Sequence, residues 1–355
     1  MNNYGRIRGF TVLMVVMQNL IWILLIVAVI AFSLASDAFL TSFNVINIFW
    51  QSAPLGLLVI GQAFTLITGN FDFSSESTMA LTTLIAAQLM VSSASGGLDL
   101  MVFPVFSIVV MLLLGSAIGL TNGLLISYLK MNSFIVTLGM LMLLRGIVYA
   151  VSSGNSVSNL PQMFTWLGGG TLFTFTVGLK TLGIPVAAIF LIVAFVVAHT
   201  VASYRRFGRE VYTVGGNRAA AETAGINSRK VILKVYLISG LCAALAGWLL
   251  AGRLDSVTPR MGTGMIFVVQ AAAVVGGISL FGGRGTFIGA FGGVLLWSIL
   301  DSGLNILQVS PFWIEVARGG LLLFAVFIDA IRVRFMHWLS HRQALAQSTI
   351  GLEVE

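Results

Sequence analysis

"RRFGREVYTVGGNRAAAETAGINSRKV", from Arg205 to Val231, is a polar island: its 27 residues hold Arg205, Arg206, Arg209, Glu210, Arg218, Glu222, Arg229 and Lys230, in a chain that is only 9% charged. Apolar stretches long enough to cross a bilayer flank it on both sides. Between Gly216 and Gly225 lies "NRAAAETA". Asn217 is a favoured N-cap, because its side chain accepts from the free N–H groups of a first turn. Alanine has the best helix propensity, and Gly225 suits the left-handed residue that closes a helix. The spacing predicts a short helix over 217–224, hinged by glycines at both ends. Arg218 and Glu222, four apart, pair along one side for ~0.2–0.5 kcal/mol.

Outward from the island the chain is greasy. It is 58% hydrophobic with a mean hydropathy of +1.00, against about 45–50% for an ordinary soluble domain. Its charged residues are too few to cover a soluble surface, so the fold class is an all-α polytopic membrane protein. A bilayer core ~30 Å thick needs about 20 apolar residues of helix. Ten segments qualify: 12–35, 44–68, 75–94, 100–129, 133–151, 183–203, 231–252, 264–281, 286–306 and 312–331. The fourth is long for one crossing and holds Pro104, Gly115, Gly119 and Gly123, so it is tilted, broken or extended into water. "SLAS" near residue 35 has cleavage-like spacing, but the apolar run before it exceeds a signal peptide's core, and a retained helix is expected.

Charge sets the orientation. With the N-terminus inside, the inner loops and tails hold Arg6, Arg8, Lys130, Arg205, Arg206, Arg209, Arg218, Arg229, Lys230, Lys234, Arg284, Arg332, Arg334 and Arg342, whereas the outer loops hold only Lys180, Arg253 and Arg260. Both termini and the island are therefore expected in the cytoplasm. This bias accounts for the net charge of +7 without nucleic acid as a partner. One cysteine, Cys242, and three dispersed histidines offer no disulfide framework or zinc spacing, so no metal is expected. Four-residue glycine repeats, Gly115/Gly119/Gly123 and Gly285/Gly289/Gly293, let helix backbones approach closely, within the chain or between copies.

With these features in place, "FGREVYTVGGNRAAAETAGI" resembles the cytoplasmic coupling segment of permease subunits in bacterial ABC importers of the ribose/monosaccharide type. "ITGNFDFSSESTMAL", "SSGNSVSNLPQMFTWLGGG", "VVGGISLFGGRGTFIGAFGG" and "LDSGLNILQVSPF" are similar to further runs of that family, in its order, over about residues 40–330. The first departs from the usual form: Asn70 stands for a glycine and "SSES" for "SVGS". The resemblance implies a ribose-permease-like (vitamin B12-importer-like) bundle in the bacterial inner membrane. It implies a permease domain over 1–335 with a coupling loop at 204–230, and a cytoplasmic tail over 336–355. It also implies partners: two cytoplasmic ATPase subunits, a periplasmic sugar-binding protein and a second permease subunit. Gly215, Gly216, Asn217, Arg218, Ala219, Ala220, Ala221, Glu222 and Gly225 would then form the element that docks on the ATPase. No lysine sits in a GxxxxGK[ST] pattern, so the chain is expected to bind no cofactor itself, ATP and Mg being used by the partner.

Charges within a bilayer are functional candidates by default. Asp72 and Glu76 stand four apart in "GNFDFSSES"; with one gap, "GGISLFGGRG" places Ser279 against Asp72 and Arg284 against Glu76. Opposite charges at matching places suggest a repeat and an ion pair. A neutral sugar needs amides, hydroxyls and aromatic faces, which makes Asn47, Gln51, Asn70, Phe71, Phe73 and Ser74, with Asp72, Glu76 and Arg284, candidates for the path or its gate. Gate-stabilising contacts compete with that role for the three charges. Glu315 and Arg318 are expected to pair, and Arg145 to bind backbone carbonyls or an acid on another helix. The substrate classes open are a monosaccharide or small polyol, then a nucleoside or branched-chain amino acid. An ion-driven secondary transporter would instead need midplane ion ligands on broken helices. A membrane enzyme lacks a nucleophile–base set.

Overall fold

The computed structural model describes residues 19–177 and 180–320, with 322–324, 326–327 and 330. Its elements run α1 (Leu20–Ala35), α2 (Ser42–Ile67), α3 (Ser75–Met90), α4 (Pro104–Ser127), α5 (Ser133–Ser152), β1 (Val157–Ser158), α6 (Gln162–Gly169), β2 (Thr171–Val177), β3 (Lys180–Pro185), α7 (Val186–Tyr204), α8 (Arg206–Gly216), α9 (Arg218–Thr223), α10 (Ser228–Leu254), β4 (Ser256–Val257), α11 (Met265–Val275) and α12 (Phe287–Ile306), with residues 311–320 again helical. Several helices start at side-chain caps. Thr41 opens α2, Asn132 opens α5, Asn227 opens α10 and Thr286 opens α12, each accepting from a first-turn N–H.

Among the described residues, α2, α4, α5, α7, α10 and α12 are long and apolar enough to cross a membrane. The segment 100–129 forms one unbroken helix from Pro104 to Ser127. The segment 264–281 is shorter than expected: α11 has 11 residues and ends at Val275, because Gly276 and Gly277 close it. At 1.5 Å per residue it spans about half the bilayer core. Residues 1–18 and the tail 336–355 lie outside the described residues, and the expected position of the termini with them.

Two small sheets interrupt the all-α expectation. β1 pairs antiparallel with β4, and β2 with β3. The run "TLFTFTV" of β2 mixes β-branched and aromatic residues, which suit a pleated surface better than a helix.

The long helix α10 is the spine, packed against α2, α3, α4 and α6. Its seam with α4 is made of backbone. A Cβ on Gly119 would lie 2.2 Å from the Tyr236 carbonyl oxygen, and one on Gly240 2.1 Å from that of Gly115. Gly289 and Gly293 stand equally close to α11, so these glycines serve packing within the chain, while Gly285 lies in a loop. Without a hydrophobic drive between helices in lipid, such close approach supplies the cohesion. Gly119→Val will therefore force α4 off α10 and lower the thermal midpoint of the detergent-solubilised protein, an overpacking cost of about 1–3 kcal/mol.

Candidate functional site

The island forms as its residues dictate. The Asn217 side chain accepts from the Ala220 N–H at 3.0 Å and opens α9. Gly225 closes it at φ +80°, with the Ile226 N–H returning to the Ala221 carbonyl at 2.9 Å. Arg218 and Glu222 pair at 3.3 Å. Ala219 and Ala220 face outward, whereas Ala221 is buried. Beside α9 a groove of about 450 Å³ is lined by Arg206, Glu210, Asn227, Lys230 and Lys234. The expected hinge at Gly216 is corrected: Gly216 is the last residue of α8, and a side chain there would meet nothing within 4 Å. Gly216 therefore imposes no constraint of its own.

The constrained glycine is Gly215. A Cβ on it would lie 1.7 Å from the Ile67 carbonyl oxygen and 2.8 Å from the Gly283 nitrogen. Gly283 N–H itself donates to that carbonyl at 2.8 Å. Tyr212, one turn earlier on α8, donates its hydroxyl to the Gly285 carbonyl at 2.8 Å. Burial raises the pKa of that phenol, which keeps it protonated as a donor. The end of α8 thus joins the loop after α2 to the loop after α11.

Those two loops share a design. Gly69 and Gly277 both have φ in the left-handed region, +74° and +93°. Asn70 N–H returns to Thr65 and Ile278 N–H to Ala273, each at 3.0 Å, so both helices end in the same left-handed cap. Asp72 then accepts from the Ser74 N–H at 3.0 Å, as Ser279 accepts from Phe281 at 3.2 Å. The alignment of Asp72 with Ser279 is a structural likeness.

The ion pair expected with Arg284 is not formed. Arg284 is exposed, and Glu76 pairs instead with Arg145 of α5 at 3.2 Å. Arg145 also donates to the carbonyls of Pro259 and Met261, both at 3.0 Å, while Glu76 accepts from the Ile266 N–H of α11 at 3.1 Å. Arg145 thus finds both kinds of partner expected for it, backbone carbonyls and an acid on another helix, and the acid is the one the sequence had paired with Arg284. Asp72 is held by Ser239 of α10 at 2.5 Å and by the Ser74 hydroxyl at 2.6 Å; Asn122 donates to Ser74 at 2.8 Å. Phe71 receives the Tyr236 hydroxyl on its carbonyl at 2.6 Å and its ring stacks on Phe73 at 6.1 Å. The Asn70 side chain donates to Thr68, on its carbonyl and hydroxyl. Asp72, Ser74 and Glu76 are thus buried and fully engaged in holding helices together.

The other path candidates lie at the opposite end of α2. Asn47 and Gln51, with Asn44, Ser302 and Asn305, line an open cavity of about 930 Å³. Gln51 donates to Asp301, Asn47 accepts from Arg253 at 2.9 Å and Ser302 donates to Asn44 at 2.7 Å. Arg318 reaches Asp301 at 3.1 Å as well as its expected partner Glu315 at 2.6 Å. Asp301 and Arg253 had been given no role from sequence. The signal available was an acid amid the apolar run of α12 and a basic residue among the few assigned to the outer loops.

Comparison with known proteins agrees with this architecture. Residues 44–326 match the family described as "Branched-chain amino acid transport system / permease component". The chain is 37% identical over 307 residues to a ribose import permease protein of Bacillus subtilis (strain 168), covering 86% of this chain and 90% of that one. It is 34% identical over 310 residues to a D-allose transport system permease protein of Escherichia coli (strain K12), covering 87% and 90%. It is 31% identical over 323 residues to a galactose/methyl galactoside import permease protein of the same strain, covering 87% and 92%. No solved structure matches the chain. With a family match across most of its length and relatives covered almost end to end, this multi-pass membrane protein belongs to the branched-chain amino acid transport system permease family.

Proposed function

We propose that the chain is the transmembrane subunit of a binding-protein-dependent ABC importer, carrying a monosaccharide or similar small polyol across the bacterial inner membrane. The observation that carries this reading is the contact of Gly215 with Ile67 and Gly283. An ATPase subunit seated on α9 moves α8, and α8 bears on two loops through backbone atoms, with no side chain between to yield. The push reaches α2 and α11, and the far end of α2 carries Asn47 and Gln51 of the open cavity. A periplasmic sugar-binding protein delivers its cargo at that cavity, a second permease subunit completes the complex, and ATP and Mg are consumed by the ATPase partners, this chain binding neither.

The relatives named for ribose, allose and galactose support a sugar. The family's description supports a second reading, a branched-chain amino acid. Proteoliposomes decide both. Uptake of a labelled sugar that requires ATP, the ATPase and the binding protein is the expected result; uptake of leucine instead gives the second reading. Uptake by this chain alone on a proton or sodium gradient overturns both. Ala220→Arg, which puts a bulky charge on the exposed face of α9, will leave the chain inserted. It will cut binding-protein-stimulated ATP hydrolysis by about ten-fold or more, as loss of a central interface contact does. Normal stimulation would refute α9 as the docking element.

A further inference from the structure

The open cavity at the outer end of α2, about 930 Å³, is of a size usual for a small-molecule site. Several polar groups on its wall are already engaged with protein. The Thr41 hydroxyl donates to the Ala38 carbonyl at 2.8 Å and accepts from the Asn44 N–H at 3.4 Å. The Asn44 amide donates to the Phe39 carbonyl at 2.8 Å and accepts from Ser302 at 2.7 Å. Three other lining residues differ: Asn47, Gln51 and Asn305 bond to the described residues through one end of their amides.

The end that is tied decides what is left for a ligand. The Asn47 carbonyl accepts from Arg253 at 2.9 Å, so its N–H groups remain. Gln51 donates to the Asp301 carboxylate, so its carbonyl remains. Asn305 commits its amide nitrogen to Asp301, to the backbone carbonyl at 2.6 Å and the carboxylate at 3.4 Å, and keeps its carbonyl too. Gln51 and Asn305 donate to the same carboxylate oxygen, Oδ2, which brings their amides together between α2 and α12. Asn47 and Gln51 stand one turn apart on α2, with about 5–6 Å between Cβ atoms. Around one space the three therefore present a donor and two acceptors, fixed by Arg253 and Asp301 before any ligand arrives.

The charge that orients them is turned aside. Asp301 is buried and takes Arg318 on its other oxygen at 3.1 Å. Among the described residues the cavity wall carries no charged side chain. The carboxylate and ammonium of an amino acid would lose water there without an opposite charge to meet them, which is costly. A sugar hydroxyl, with one proton to give and two lone pairs, meets no such cost.

We infer that Asn47, Gln51 and Asn305 form a hydroxyl-reading site that first holds the sugar on this chain. One hydroxyl accepts from Asn47 and donates its proton to Gln51, and its neighbour on the sugar donates to Asn305. The ligand class is a neutral polyol with adjacent hydroxyls. The inference rests on the sugar-importer reading and names the contacts made at its entry.

Asn47→Asp separates recognition from folding. The new carboxylate still accepts from Arg253, now with opposite charge, but the donor is gone, and a hydroxyl with one proton faces two acceptors. ATP-driven uptake of radiolabelled ribose, allose and galactose by the reconstituted complex is the readout, alongside thermal unfolding in detergent. Uptake is expected to fall by about ten-fold or more for each sugar the native complex imports, while the midpoint stays or rises. Asn305→Ala, at an exposed position, should lower uptake likewise with little change in midpoint. Uptake within about two-fold of the native level in either variant, well short of one hydrogen bond's worth, overturns the inference and leaves the importer reading intact. A midpoint that falls in step with uptake assigns these amides to structure and also overturns it. Native complex that takes up none of the three sugars removes the sugar reading and this site with it.

Discussion

Gly215→Val will abolish ATP-driven uptake and lower the thermal midpoint, whereas Gly216→Ala beside it will be neutral or mildly stabilising. The added Cβ at 215 falls 1.7 Å from a carbonyl oxygen, and the atoms in its way are backbone. No rotamer change relieves such a clash, so α8 must withdraw from the loops closing α2 and α11, and the Gly283–Ile67 hydrogen bond breaks with it. Overpacking of this kind costs about 1–3 kcal/mol. The expected loss of uptake is larger, because in the proposed coupling route the same contact transmits the stroke from α9. At Gly216 the space is open and the backbone helical, so alanine recovers up to about 0.5–1 kcal/mol of the entropy that glycine forfeits. Parallel uptake and unfolding measurements on the two variants check this; a Gly215→Val complex that imports normally would show that the junction carries no force.

Arg145→Leu will be the most destabilising single change in the bundle. The Arg145 and Glu76 side chains are 12% and 5% exposed. Removing the guanidinium leaves a buried carboxylate with no opposite charge, held by the backbone of Ile266 and Gly264 alone among its described partners, and strands the carbonyls of Pro259 and Met261. Breaking one side of a buried pair costs about 3–5 kcal/mol. Adding Glu76→Gln removes the orphaned charge and keeps an acceptor for Ile266, so Arg145→Leu/Glu76→Gln should recover more than half of the loss. The yield of folded protein and the unfolding midpoint of both variants provide the readout. Equal destabilisation by the single and double changes would mean that the two carbonyl contacts, and not the charge pair, dominate.

Much of this was legible in the residues. Asn217, the alanines and Gly225 fix α9 by local chemistry alone, so the helix and both of its ends were readable. The i,i+3 and i,i+4 pairs Glu315–Arg318 and Arg218–Glu222 were readable for the same reason. What sequence could not supply was contact across helices. Arg145 meets Glu76 from 69 positions away, so Arg284, nearer in motif, was paired with it wrongly. Gly215 and Gly216 look alike as letters; only the approach of Ile67 and Gly283 separates them. The short reach of α11 was masked by apolar residues that continue past Gly276 and Gly277, where the backbone turns left-handed. The strands β2 and β3 fall almost wholly in the connection between the expected spans 133–151 and 183–203, and what makes them strands is their pairing with each other.

The pairing of Arg145 with Glu76 has an electrical consequence. A lone arginine carried across the membrane field would meet about 2.3 kcal/mol per 100 mV. Here its charge is matched by the opposite one only 3.2 Å away. If the two shift together while α3 and α5 rearrange, no net charge crosses the field, and neither resting nor energised voltage works with or against that movement.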